Sequence, residues 1–415
     1  MHAAQLLEHV DDGAALDFLR AMIRFKSYSG TEGETQLARF MVERMRELGL
    51  EADLQPVEGD RCNAIGRLRG TGGGRSLLFN GHLDTNPATD DWSVDPWAGH
   101  LDDRFVYGIG VSNMKAGDAA FYSAVRTLVD AGVRLGGDVI LTYVVGELQG
   151  GVGTVRAIEG GIRADCFINA EPTDVNGLTL HAGAFNFAIE LRGVTRHVSK
   201  REEAVDAILA ACELVPRIDA MTFSGATCDE HLAVNRTNVG VLRGSLTSEF
   251  HDWRPPQVAD FVRLVGTARY APSQSEDSVM ADLRSVLDDL QRRWPGLRAS
   301  VRREFASHRL SMLPFEVPIG SGIVQAVDRA HRAVRGRPLA TGPIRPYCFY
   351  GTDAAHLLHR AGIEGIVCGP GGRYNTMPDE RVDIPDYLDM VRIYLLAMLE
   401  ICELEPSASV SADAG

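Results

Sequence analysis

Apolar and polar positions along this chain follow two periods, one helical and one extended. From Ala14 to Phe25 and from Thr31 to Leu48 the spacing is helical. In the second segment Leu37, Phe40, Met41, Met45 and Leu48 form one apolar stripe, and Gly49 follows where a helix-terminating glycine belongs. Thr31 and Glu34 have capping-box spacing at its start. Strand-like runs come next at Leu50–Gln55 and Cys62–Leu68. RGTGGGR then reads as a simple hairpin turn into LLFNGHLDTNP, a short apolar run stopped by Gly81. A phosphate-binding loop would need Lys-Ser/Thr and a helix directly after Gly72–Gly74, whereas Ser76 and a strand follow. The alternation continues with a helix from Lys115 to Ala131 closed by Gly132, a strand from Asp138 to Val145, a helix opened by GELQGGVGT, the strand ADCFINAEPTD, and GLTLHAG. This order predicts an α/β fold, a mainly parallel sheet flanked by helices.

From about His181 the pattern changes. FNFAIELRG alternates strictly, Arg201–Arg217 reads as a helix, TNVGVLRG and Val262–Tyr270 as strands, Glu276–Arg293 as an amphipathic helix, and ASVRREF as a last strand. These elements predict an inserted α+β domain, an open sheet with helices on one face. After Phe315 the earlier pattern resumes through GIVQAVDRAHRAV, GTDAAHLLHRAG and IEGIVCGPG, and a helix from Tyr387 to Leu404 closes it. The expected organisation is therefore a first domain built from residues 1–180 and 306–405, an inserted domain at 181–305, and a disordered tail at 406–415 of small polar composition.

Composition narrows the ligands. The formal net charge is −14 and no Lys/Arg block interrupts it, which argues against nucleic acid or an anionic membrane as partner and leaves small solutes. Seven cysteines are scattered singly with no CxxC pair, so neither a disulfide framework nor a zinc ribbon is indicated. The first residues are acidic where a signal peptide would be basic and apolar, and no run approaches ~18 apolar residues. A cytoplasmic protein is expected.

Candidate chemistry sits at the strand ends. His82 and Asp84 occupy alternate positions after the first core strand, Glu147 follows the second and Glu171 the third. In a mainly parallel sheet such ends converge on one edge, where these folds bind their ligands. His181, His356 and His359 read as structural or exposed, and Cys348 and Cys368 flank the last strands of that domain.

With NGHLDTNP, GIGVSNMKAG, GELQGGVGT, AEPT, GVTRHVS, GTDAA and MPDE in this order, the chain resembles the M20 family of metallopeptidases and amidohydrolases. That family includes acetylornithine deacetylases, succinyl-diaminopimelate desuccinylases, aminoacylases and carboxypeptidase G-like enzymes. The resemblance implies a zinc-peptidase-like catalytic domain and an inserted lid or dimerisation domain. It also implies His82 and Glu171 as ligands of one metal ion, Asp84 as the carboxylate that orients His82, and Glu147 as general base. His197 corresponds to a histidine that stabilises the oxyanion, often in the partner subunit, and Arg269 and Asn238 to residues that bind a substrate carboxylate.

Against the family pattern, the bridging aspartate is Asn113, the second glutamate of its pair is Leu148, and the histidine before Pro-Asp-Glu is Thr376. All three are positions of the second ion. The expectation is one zinc or other divalent ion, with Asn113 as a weak amide ligand, or none; a two-metal centre is not expected. The function expected is hydrolysis of the amide bond of a small N-acyl amino acid or dipeptide-like substrate. The alternatives are a non-hydrolytic step on the same fold (acyl transfer, cyclisation or proton abstraction by Glu147) or a catalytically silent binding homologue. A homodimer through the inserted domain is implied as well.

Overall fold

Strands form where the apolar runs predict them. A computed structural model of the chain describes residues 3–251, 255–304 and 310–404, so the expected tail at 406–415 lies outside the described residues. In chain order the strands are β1 (Glu51–Glu58), β2 (Arg61–Leu68), β3 (Leu77–His82), β4 (Phe105–Tyr107), β5 (Val139–Val144), β6 (Cys166–Asn169), β7 (Gly177–Leu178) and β8 (Leu180–His181). They continue as β9 (Gly183–Arg192), β10 (Arg236–Ser245), β11 (Phe261–Tyr270), β12 (Arg298–Arg303), β13 (Phe315–Glu316), β14 (Thr341–Gly342), β15 (Glu364–Val367) and β16 (Arg381–Asp383). The chain divides into two units, one of residues 1–179, 317–347 and 352–415, the other of 180–316 with 348–351. The second unit thus runs past the expected boundary at 305 to Glu316, because β13 pairs with β8 and closes it.

In the first unit the main sheet has the order β1-β2-β5-β3-β6-β15-β7-β14. Its centre, β5-β3-β6-β15, is parallel, while β1, β2 and β5 pair antiparallel and mix the sheet at that edge. Every residue of β3, β5 and β6 is buried, as helices on both faces require. The glycine run does not make a hairpin, because β5 lies between β2 and β3. Its glycines serve a close backbone approach instead: Gly72 N donates to Gly136 O at 2.8 Å, and a Cβ on Gly74 would stand 2.1 Å from Cys402 O.

The helix Glu32–Glu47 ends as predicted, with Gly49 in the left-handed region at φ 80°. Its start differs. Thr31 makes no side-chain cap, and Glu34 pairs with Arg61 while accepting from Gly30 N. A partly buried guanidinium is a stronger partner for a carboxylate than the backbone N–H of a helix terminus.

The second unit carries the sheet β10-β11-β9-β12 with the helices Ala207–Asp219 and Glu276–Arg293 packed on it. Phe187, Ile189 and Leu264 of the sheet meet Leu214, Leu283 and Leu287 of the helices in one apolar core. Ser275 and Ser278 cap the second helix reciprocally. The first begins at Ala207 rather than Arg201, since the Asp206 side chain accepts from Ile208 N and Leu209 N, and Val198–Glu203 forms a 3₁₀ turn. Among the described residues no helix is long and apolar enough to cross a membrane.

Candidate active site

Parallel register places three side chains at one level of the first unit. His82 ends β3 opposite Val144 of β5, three residues before Glu147. On the other side of β3, Asn80 pairs with Asn169 of β6, two residues before Glu171. The ligand atoms of His82, Glu147 and Glu171 accordingly lie within 4.8 Å of one another. His82 Nε2 is 3.5 Å from Glu171 Oε1 and 4.0 Å from Glu147 Oε2.

The imidazole is set for a ligand. Nδ1 lies 2.8 Å from the carbonyl oxygen of Asp84, which can only accept, so Nδ1 carries the hydrogen. When His82 is neutral this leaves the lone pair on Nε2, which is buried and has no hydrogen-bond partner. An unpartnered imidazole nitrogen between two buried carboxylates is a donor set that suits a divalent ion. The sequence offered two strong ligands and an amide oxygen for this ion; the structure adds Glu147 as a third carboxylate or imidazole donor within reach.

Asp84 acts mainly elsewhere. Its carboxylate is 3.5 Å from His82 Nδ1 and accepts from Ser29 Oγ at 2.9 Å and from the backbone N–H groups of Glu147 and Leu148, each at 3.1 Å. It therefore holds the turn that carries Glu147, while its backbone carbonyl makes the shorter of its two contacts to His82.

Buried acid dominates the electrostatics. Burial, then the neighbouring charge of Glu171, raises the pKa of Glu147, and burial pushes Glu171 to about 7 against the attraction of His82. Burial opposes charge on His82, but Glu171, Asp84 and Glu147 together raise its pKa well above the usual value. Asp353 is pushed to about 6 by burial; one of its oxygens accepts from Thr154 Oγ1 and the other has no partner. Glu380 is raised to about 7 by burial, although the N–H groups of Ser112 and Asn113 donate to it.

A cavity of about 210 Å³ opens beside these groups. It is lined by His82, Asp84, Glu380, the neutral polar side chains of Thr85, Asn86, Thr89, Asn113 and Thr376, and the apolar ones of Pro87, Ile109, Leu148 and Met377. All three departures from the family pattern, Asn113, Leu148 and Thr376, share this wall, and Asn113 Oδ1 is buried there without a partner.

His197, Arg269 and Asn238 belong to the second unit. His197 is exposed, with Nδ1 3.0 Å from Ser199 Oγ. Asn238 and Arg269 lie on the adjacent strands β10 and β11, where Asn238 pairs with Thr267 and Arg269 with Arg236.

Several residues of the site went unread in the sequence. Asp118 is fully buried in the helix Ala116–Asp130, neither carboxylate oxygen has a partner, and burial raises its pKa well above the usual value. The available signal was an acid inside the small apolar run KAGDAAF. Asp353 and Glu380 lay within motif segments without a role assigned to them, and Arg61 had no signal at all.

Residues 78–400 match the model of the peptidase family M20/M25/M40. The chain belongs to this family. It is 27% identical over 388 residues to N-formyl-4-amino-5-aminomethyl-2-methylpyrimidine deformylase of Bacillus subtilis (strain 168), an alignment covering 86% of this chain and 87% of that one. It is 26% identical to acetylornithine deacetylase of Salmonella heidelberg (strain SL476), covering 76% and 81% of the two chains. Among solved structures, aminopeptidase PepT from Bacillus cereus ATCC 10987 superposes with a TM-score of 0.76 at 18% identity, over 95% of this chain and 99% of that one. The protein is an M20-family amidohydrolase, and its mixed sheet with flanking helices is the fold of M20 peptidases.

Proposed function

We propose that this M20 enzyme removes a short acyl group from a small N-acyl amine or N-acyl amino acid, using a single divalent ion, zinc before others. The observation that carries this reading is the convergence of the unpartnered His82 Nε2 with Glu147 and Glu171. His82 and Glu171 would hold the ion, with the Asn113 amide oxygen beside them. Bound there, the ion supplies a Lewis acid for the scissile carbonyl.

Glu147 does the proton work. Its raised proton affinity suits a group that takes a proton from the attacking water and returns it to the leaving amine. Asp84 keeps that carboxylate in place through the two backbone N–H groups of its turn. His197 is assigned to the oxyanion, and Arg269 and Asn238 to a substrate carboxylate, on the family resemblance.

The cavity wall supports a short acyl end without an acidic group, because Asp84 and Glu380 stand in its lining. Formyl and acetyl groups, present in the names of the two relatives, are the first to try. The non-hydrolytic and silent alternatives are not favoured, since those relatives are hydrolases. A homodimer through the second unit is supported by β10, an edge strand with Val241 and Leu242 exposed, because an unpaired strand edge invites pairing. A cytoplasmic location is supported by seven cysteines that form no disulfide among the described residues.

The test combines metal analysis of protein purified without chelator with turnover of N-formyl and N-acetyl amines. About one ion per chain is expected from one full donor set; two per chain would overturn the reading of Asn113, Leu148 and Thr376. Glu147→Gln should lower kcat on the order of 10²- to 10⁴-fold, and unchanged turnover would remove Glu147 as the base.

A further inference from the structure

Glu147 stands on a weak piece of backbone. The 3₁₀ turn Glu147–Gln149 lies between Gly146 at φ 74° and Gly150 at φ 91°, and glycines at both ends give such a turn little stiffness of its own. Backbone bonds close it, Gly150 N to Glu147 O at 2.7 Å and Gln149 N to Gly146 O at 3.2 Å, and side chains brace it from outside. Asp84 provides one brace, accepting from Glu147 N and Leu148 N.

A second brace reaches the far end of the turn. Arg61 Nη1 donates to Gln149 Oε1 at 2.6 Å. The rest of that guanidinium is locked by a two-pronged pair with Glu34, Nε to Oε2 at 2.8 Å and Nη2 to Oε1 at 2.7 Å. Glu34 is fully buried and Arg61 nearly so, so the pair is rigid and poorly screened. Gly146 leaves room for it: a Cβ there would stand 2.8 Å from Arg61 Nη2.

The two braces share an anchor. Glu34 Oε2 also accepts from Gly30 N, and the adjacent Ser29 donates its hydroxyl to Asp84 Oδ2. Asp84 and Arg61 therefore grip the two ends of one turn from a single corner, Ser29–Gly30.

We propose that Arg61 is a positioning residue for Glu147, acting through the Gln149 side chain and held in place by Glu34. This rests on the reading of Glu147 as the base. Arg61 touches neither substrate nor ion in this scheme; it limits the places the Glu147 carboxylate can occupy.

Gln149→Leu is the direct test, because it removes the acceptor while the Arg61–Glu34 pair stays intact. With an N-formyl or N-acetyl amine that the unaltered enzyme turns over, kcat should fall on the order of 10-fold, as for other residues that orient a reacting group. KM, zinc content and the midpoint of urea unfolding should stay close to the original values. Arg61→Lys should lower kcat similarly, with some loss of stability as well, since one ammonium cannot bridge Glu34 and Gln149 as the planar fork does. The deciding measurement is a double-mutant cycle. In a Glu147→Gln background, Gln149→Leu should cost nothing further, because the group it positions is gone. An undiminished loss in that background, or Gln149→Leu with unchanged kcat, overturns the proposal. Failure of the base reading is separate and visible at once as a Glu147→Gln enzyme of full activity.

Discussion

His82 Nδ1 lies 2.8 Å from the backbone carbonyl of Asp84 and 3.5 Å from its carboxylate. The shorter of these contacts is one that no side-chain substitution at position 84 removes. Asp84→Asn should leave zinc affinity within a few-fold while lowering kcat by roughly 10- to 100-fold, because an amide NH₂ would face one of the two N–H groups, that of Glu147 or that of Leu148. Zinc titration beside steady-state kinetics checks this. A loss of affinity as large as the loss of kcat would return the orienting role to the carboxylate.

Metal uptake should depend on pH in a direction set by the site. The pKa of His82 is raised and that of Glu171 is about 7, so near neutrality His82, and Glu171 in part, hold protons that a cation must displace. Affinity should therefore increase from pH 6 to pH 8, with protons released on binding. Zinc competition titrations in two buffers of different ionisation enthalpy measure both effects, and a flat profile would contradict the assignment.

Asp118 should make the metal-free protein less stable as pH rises. Its folded pKa lies above the unfolded value, so the stability it contributes is complete below the unfolded pKa of about 3.8 and is lost as pH rises through the folded one. Asp118→Asn removes that titration. Urea unfolding of chelated protein at pH 5 and pH 8 should show a smaller pH difference in the variant, and an equal difference in both would contradict this.

The edge of β10 gives a prediction about assembly. Leu242→Lys places a charge on the exposed edge strand without touching the core of the second unit, since Leu242 is 48% exposed. Light scattering at micromolar concentration should show a dimer for the original chain and a monomer for the variant. A monomer in both cases would end the dimer reading.

Much of the fold was legible because its signals are local. The helix Glu276–Arg293 shows its apolar spacing and its Ser275 cap within a few turns of chain, and β3 shows itself as an apolar run stopped by glycine. The convergence of His82, Glu147 and Glu171 was legible for a related reason, since each sits just past a buried strand and parallel strands end together.

Tertiary structure alone decided the rest. Glu34 has capping-box spacing, yet Arg61, brought near by β2, takes its carboxylate, and no local pattern encodes that competition. The glycine run RGTGGGR looks like a hairpin whichever strands it joins, and only the insertion of β5 between β2 and β3 determines that it is not one. Asp118 lies in a helix buried on all sides from Ala116 to Val125, and nothing in its local spacing says what the carboxylate meets. Hydrophobic periodicity, set along the chain, determined the elements and the level at which the site residues emerge. Partners for the buried charges were decided by non-local packing, because a carboxylate out of water goes to the strongest donor that the assembled fold brings within reach.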